Sequence, residues 1–245
     1  MDPSVAAKLR CNGGFARRLP QDDVAEVHGS HSQNSSFLMS TDSARPSAEL
    51  HALLGQVDIY LFDQLLRGRF DTRRRVLDAG CGDGRNLFYL LQRGFECFGI
   101  DRDPAAIERV LLLAAELGDA PAAHFVAGEI DRLPWGDGSM DAVLCSAVLH
   151  FADDGAHFGR MVEELWRVLG PGGLLFARLA SNIGLEARIG PGGRRTRLPD
   201  GSTRFIVDEA MLLAWTERLG GRLIDPLKTT VVQGQRCMTT WCVVK

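Results

Sequence analysis

What the 245-residue chain lacks narrows its function first. No apolar run approaches the roughly 18 residues of a membrane span, and the opening MDPSVAAKLR leads into no signal-peptide core. A protein that neither spans a membrane nor is secreted is expected. None of the six cysteines (Cys11, Cys81, Cys97, Cys145, Cys237, Cys242) forms a CxxC pair, so the commonest metal and redox spacings are missing and no metal is expected. Several stand inside apolar runs, where a free thiol behaves as a small hydrophobe, which suits a reducing cytoplasm. Basic excess is also missing: 28 Lys and Arg face 31 Asp and Glu, a net charge of -3. The whole-chain field therefore steers toward no nucleic acid.

What is present is enough apolar sequence, 45%, to build a core. Residues 1–46 are polar and without period, and read as a disordered tail, with Met39 a candidate alternative start. The domain is expected over 47–245. Leu50, Leu53, Leu54, Val57, Leu61 and Leu65 recur at helical spacing, predicting one amphipathic helix within 48–70 that covers the site. Short apolar runs then follow at Arg75–Ala79, Cys97–Asp101, Ala123–Ala127, Ala142–Ser146 and Leu174–Leu179. Helical patterns separate them, marked by Leu87, Leu90 and Leu91, by Ile107, Val110, Leu111 and Ala114, and by Phe158, Met161, Val162 and Leu165. Alternation of this kind predicts an α/β, doubly wound, Rossmann-like sheet, mostly parallel, with helices on both faces.

A Gly- and Arg-rich segment (181–206) is read as a substrate-side loop, followed by a helix through Met211, Leu212, Trp215 and Leu219. The last two runs, Arg222–Val232 and Arg236–Val244, are linked by only Gln233-Gly234-Gln235, which permits an antiparallel hairpin and brings the sheet to seven strands.

The chemistry concentrates in VLDAGCGDGRN, Val76–Asn86. A buried strand ending in glycines and entering a helix offers bare backbone amides at the carboxyl edge of the sheet. A P-loop needs Lys then Ser or Thr after its last glycine, whereas Gly84 is followed by Arg85-Asn86, so nucleotide triphosphate hydrolysis is excluded. The spacing Gly80-x-Gly82-x-Gly84 also differs from the G-x-G-x-x-G of nicotinamide dehydrogenases. Asp101, closing the second strand about twenty residues on, suits the two hydroxyls of a ribose.

These stretches, with GIDRDP (Gly99–Pro104), GEIDRLPWGDGSMDAVLCSAVLHF (Gly128–Phe151) and ELWRVLGPGGLL (Glu164–Leu175), resemble the class I S-adenosylmethionine-dependent methyltransferases over residues 75–180. Within that family, CGDGRNLFYLLQRGF is similar to the glycine motif of the tellurite-resistance methyltransferases. The resemblance implies S-adenosyl-L-methionine as cofactor. It implies that Gly80, Gly82 and Gly84 line its methionine and ribose portion, that Asp101 takes the ribose hydroxyls, and that Glu129 and Ile130 sit at the adenine. Asp78 and Cys145 would neighbour the methionine amino group; Cys81, Asn86 and Arg102 complete the expected cofactor set.

Methyl transfer needs a base only when the acceptor must lose a proton, and His150, just after the fourth strand, is the candidate. The Asn/Asp-Pro-Pro-aromatic motif of nucleobase amino methyltransferases is missing where Cys145-Ser146-Ala147-Val148 stands. Arg188, Arg194, Arg195, Arg197 and Arg204 could clamp an anionic acceptor or form a solvated loop. Cys81 and Cys145 read as packing residues, as do Tyr60 and Trp135. The expected partner is a small-molecule acceptor; enzymes acting on protein or RNA, and a non-catalytic cofactor-binding module, are the rivals.

Overall fold

The computed structural model describes residues 45–245 apart from Asp119. The expected tail over 1–46 lies almost wholly outside the described residues. The helices are α1 (Pro46–Leu54), α2 (Ile59–Leu66), α3 (Phe88–Gln92), α4 (Pro104–Leu117), α5 (Gly155–Val168), α6 (Glu186–Ile189) and α7 (Glu209–Arg218). The strands are β1 (Arg75–Ala79), β2 (Glu96–Asp101), β3 (Phe125–Ala127), β4 (Met140–Ser146), β5 (Leu169–Ser181), β6 (Arg194–Arg197), β7 (Thr203–Ile206), β8 (Arg222–Leu223), β9 (Lys228–Val232) and β10 (Arg236–Val244).

The main sheet runs β3-β2-β1-β4-β5-β10, parallel as far as β5, with β10 antiparallel beside it. Both β8 and β9 pair with β10, at its two ends, so together they occupy the seventh strand position. Buried side chains fill both faces. Phe158, Val162 and Leu165 of α5 pack with Trp241 on one side; Leu61, Leu90 and Val110 pack with Phe176 on the other. The expected doubly wound sheet is what forms, because strands buried on both faces are apolar over most of their length, as β1 and β4 are apart from Arg75 and Asp141 near their starts, Asp78 within β1 and Ser146 at the end of β4.

Helix starts follow local chemistry. Asp103, Asp154 and Asp208 cap α4, α5 and α7, accepting from the amides of Ala105 (3.0 Å), His157 (2.7 Å) and Met211 (2.8 Å). The strand order reverses direction between β1 and β4. Open α/β sheets leave a crevice at such a point, beside Gly80 and Ala147 here.

Three expectations need correction. The single helix over 48–70 is two helices, since Gly55 takes φ 59° to end α1 and Asp58 caps the start of α2. No residue of α1 is buried, and Leu50 and Leu53 face solvent. The 181–206 loop contains α6 and the hairpin β6–β7, which with Ala180 and Cys237 encloses a small core of Ile189, Leu198 and Ile206. The run Arg222–Val232 is interrupted around Pro226, which has no amide to give a ladder, so it splits into β8 and β9. The hairpin itself is antiparallel as expected, with Gln233 and Gly234 both at positive φ.

Gly84 has φ 84°, and a Cβ there would lie 2.7 Å from Val110 Cγ2 and 2.8 Å from Leu113 Cδ2 on α4. Gly82, at φ 53°, has open space where its Cβ would be. Gly84→Ala is therefore expected to cost roughly 2–4 kcal/mol, backbone strain plus overpacking, against roughly 1–2 kcal/mol for Gly82→Ala, which carries the strain alone. Urea unfolding of the two variants checks the difference, and equal losses would remove the packing role of Gly84.

Candidate functional site

The glycine turn is held from below by β2. The amides of Gly80 and Cys81 donate to the Ile100 carbonyl at 2.7 and 3.0 Å, and the Gly82 amide donates to Asp101 Oδ2 at 2.9 Å. Asp101 Oδ1 accepts from the Asp103 amide at 3.0 Å, so the carboxylate is fixed at the strand end by backbone on both sides. Gly80, Asp101, Arg102, Glu129 and Ile130 line one cleft of about 250 Å³. A hollow of about 600 Å³ shares Gly128 and Glu129 with it and extends past Ile100 to Arg160.

Beneath the cleft, Asp78, Cys81, Asn86 and Cys145 are buried. Gly84 is buried against α4, and of the three glycines Gly80 alone lines the cleft; Gly82 is half-buried beside it. Burial pushes the thiols of Cys81 and Cys145 far above the ordinary range, so neither is a nucleophile at neutral pH. Trp135 packs edge-on against Phe98 in the core.

Asp78 is 1% exposed, and neither carboxylate oxygen has a hydrogen-bond partner. Burial pushes its pKa up to about 8; the Arg85 guanidinium opposes the rise and the Asp101 carboxylate adds to it. The Asn86 amide approaches without forming a bond of ordinary length. An unmatched buried carboxylate of this kind suits a cationic ligand group.

On the other side of the loop Ala147–Phe151 lies a second cavity of about 430 Å³, lined by His150, Arg178, Arg204, Arg236, Asp200 and Leu198 among others. Phe151 borders both cavities. Its ring carries Arg102 at 5.7 Å and Arg204 at 4.9 Å. His150 is 5% exposed with Nδ1 unpartnered. Burial, with the cations Arg204 and Arg178, lowers its pKa to about 4, so the ring is neutral at physiological pH.

Sequence reasoning missed the residue that joins these parts. Asp58, with its side chain 2% exposed, accepts from Ser146 Oγ at 2.9 Å and Arg178 Nη1 at 3.3 Å, and its amide donates to Asn86 Oδ1 at 3.1 Å. The signal was Gly55 followed by an Asp three residues on, the stop and restart of a helix. Arg178 also stood out, as the one charge inside the apolar run Leu174–Leu179. Arg236 gave no signal. Of the expected arginine clamp, Arg204 alone lines the cavity; Arg195 donates toward the Phe151 and Ala152 carbonyls instead.

A doubly wound sheet with a glycine turn and a strand-end acid at its switch point defines an α/β protein that binds a nucleoside-containing cofactor. A family model described as a methyltransferase domain matches residues 77–177. A methyltransferase of uncharacterized activity from Synechocystis is 35% identical over 101 residues, 41% of this chain and 44% of that one. A malonyl-[acyl-carrier protein] O-methyltransferase from Pseudescherichia vulneris is 30% identical over 169 residues, 66% of this chain and 62% of that one. Among solved structures, the 1,6-didemethyltoxoflavin-N1-methyltransferase of Burkholderia thailandensis shares the fold at a TM-score of 0.60 and 19% identity, covering 81% of this chain and 82% of that one. A [4+2]-cyclase shares it at 0.57 and 18% identity, over 75% and 79%. Residues 77–177 thus form a class I S-adenosylmethionine-dependent methyltransferase domain. The chain spans less than half the length of the curated relatives it matches first.

Asp78 gives a pH signature. An unfolded Asp titrates near about 3.9, whereas the folded one holds its proton to about 8. Between those values the folded state binds more protons, so the ligand-free protein loses stability as pH rises through that window and levels off above it. Asp78→Asn is expected to flatten the slope, its Tm advantage over the parent growing from pH 5 to pH 8. Parallel slopes for the two proteins would mean that Asp78 is ionised in the fold.

Proposed function

We propose that the protein transfers a methyl group from S-adenosylmethionine to a small-molecule acceptor. The observation that carries this is the pair of cavities meeting at Phe151, one walled by the glycine turn and Asp101, the other by a buried neutral histidine. The residues fit the cofactor. Asp78 offers an unmatched carboxylate to its cationic amino-acid portion, Asp101 retains lone pairs for ribose hydroxyls, and the Glu129–Ile130 segment borders the adenine end. The bound sulfonium supplies an already activated methyl group.

What remains for the protein is orientation, worth several kcal/mol, and, where the acceptor atom carries a proton, its removal. His150 is suited to accept that proton through Nδ1, which is neutral and free. The five described cysteines are free and buried, which supports a cytoplasmic setting, and no described helix is long and apolar enough to cross a membrane. The names of the relatives cover unlike acceptors, a malonyl thioester and a fused heterocycle among them, so they identify none here.

The decisive experiment follows isotopically labelled methyl groups from S-adenosylmethionine into an extract of the source cells, separated afterward by size. Label among small metabolites, dependent on the protein, supports the proposal; label confined to protein or RNA overturns it. Asp101→Ala should weaken cofactor binding at least about tenfold, as expected for loss of charge-assisted bonds; calorimetry reads this, and an unchanged Kd would remove Asp101 from the site. His150→Ala should lower turnover at least about tenfold while leaving cofactor Kd within about twofold. Full turnover would make His150 structural.

A further inference from the structure

The cavity beside His150 has a charge composition that the cofactor does not explain. Three guanidinium groups, Arg178, Arg204 and Arg236, line it with one carboxylate, Asp200. Asp200 is engaged by its own turn, accepting from the Ser202 amide at 2.9 Å and the Ser202 hydroxyl at 2.6 Å. Arg178 is paired from behind with buried Asp58. Asp58 also has Arg85 Nη2 at 4.0 Å, so with both acids counted the cations Arg85, Arg178, Arg204 and Arg236 exceed the anions Asp58 and Asp200, and the cavity carries net positive charge.

Two buried polar atoms of this lining lack partners, Nδ1 of His150 and Nε of Arg178. A wall with an unspent guanidinium N–H and surplus positive charge, opening beside the glycine-turn cleft, is complementary to an anionic group with acceptor lone pairs. Leu198, Ala180 and Met238 supply apolar surface beside it. Burial first, and then the cations Arg204 and Arg178, keep the imidazole of His150 neutral, so it adds no positive charge of its own to the cavity.

We propose that this cavity anchors an anionic group of the acceptor, a carboxylate, between Arg204 and Arg236 with Arg178 at the floor. The proposal rests on the small-molecule reading above and names the acceptor's chemical class. A phosphate monoester shares the anion chemistry, and the phosphatase arm of the test separates the two. The β6–β7 hairpin bears on the selection, because Asp200 and Ser202 lie in its turn and Arg204 lies on β7.

The test splits a small-metabolite extract of the source cells by anion exchange at neutral pH and offers each part to the full-length protein with labelled S-adenosylmethionine. Label in the retained fraction, surviving prior phosphatase treatment, is expected. Label only in the unretained fraction overturns the anionic acceptor, and label abolished by phosphatase overturns the carboxylate in favour of a phosphate. Label in neither, from protein that binds S-adenosylhomocysteine, overturns the underlying small-molecule reading instead. Arg204→Gln and Arg236→Gln, tested separately, should each raise the half-saturating amount of the retained fraction at least tenfold while S-adenosylhomocysteine affinity stays within twofold. Arg204→Lys, which keeps the charge and loses the fork, should fall between. Unchanged half-saturation in both Gln variants would remove these arginines from acceptor binding.

Discussion

The site depends on one buried carboxylate, that of Asp58. It lies where four parts of the chain converge: the cap at the start of α2, the glycine turn through Asn86, the end of β4 through Ser146, and β5 through Arg178. Burying an ion pair this deeply gains little net stability, but breaking one by removing a partner costs about 3–5 kcal/mol, because the survivor stays buried and unpaired. The contact therefore acts as a geometric constraint more than a source of stability. It fixes α2 over the carboxyl edge of the sheet, and Tyr60, two residues on, places its ring under Arg178 and its hydroxyl against Thr230 of β9. Polar bonds thus add to the apolar contacts of Val57, Tyr60, Leu61 and Leu65 in seating α2, while Leu50 and Leu53 of α1 stay exposed.

The two cavities on either side of the loop Ala147–Phe151 have opposite electrostatic character. On the cofactor side the dominant buried group is an acid without a partner, stable only while it keeps its proton or meets a cation. Across Phe151 the buried group is a base that stays neutral because it is buried, with Arg204 and Arg178 adding to the effect. A cationic donor and an anionic or neutral acceptor would each find the complementary wall, and the loop Ala147–Phe151 between them is strained at Ala147, which sits at φ 65° without being glycine. Val148 of that loop reaches over Gly80 so closely that no side chain could replace the glycine hydrogen. Gly80 is thus required by the fold as well as by any ligand.

How much of this the sequence revealed follows the range of each interaction. VLDAGCGDGRN could be read because strand, glycine turn and helix entry are neighbours in the chain, and Asp101 because it closes the very next strand. The β9–β10 hairpin was legible from its three-residue link. The arginines of the acceptor cavity were not, since Arg236 meets the site only through the antiparallel register that sets Cys237 opposite Ser181. Nothing in the local pattern around residue 236 specifies that partner. The broken cap is intermediate: periodicity over Leu50–Leu65 runs straight through Gly55, and the helical spacing outweighed a glycine that, with Asp58 just beyond, was a legible stop.

That division by range also separates what the fold shares from what it varies. The methyltransferase family match ends at residue 177, having covered the glycine turn, Asp101, Glu129 and His150. Asp58 lies before it, and Arg178, Leu198, Asp200, Arg204, Arg236 and Met238 all lie after it. The wall of the glycine-turn cleft is therefore built from the matched segment, and most of the wall of the arginine-lined cavity from sequence outside it. Methyl transfer permits this, because the activated methyl group arrives with the cofactor and the protein need only present a nucleophile in line. Acceptor choice is consequently free to change with the segments after β5 while the crevice between β1 and β4 stays as it is.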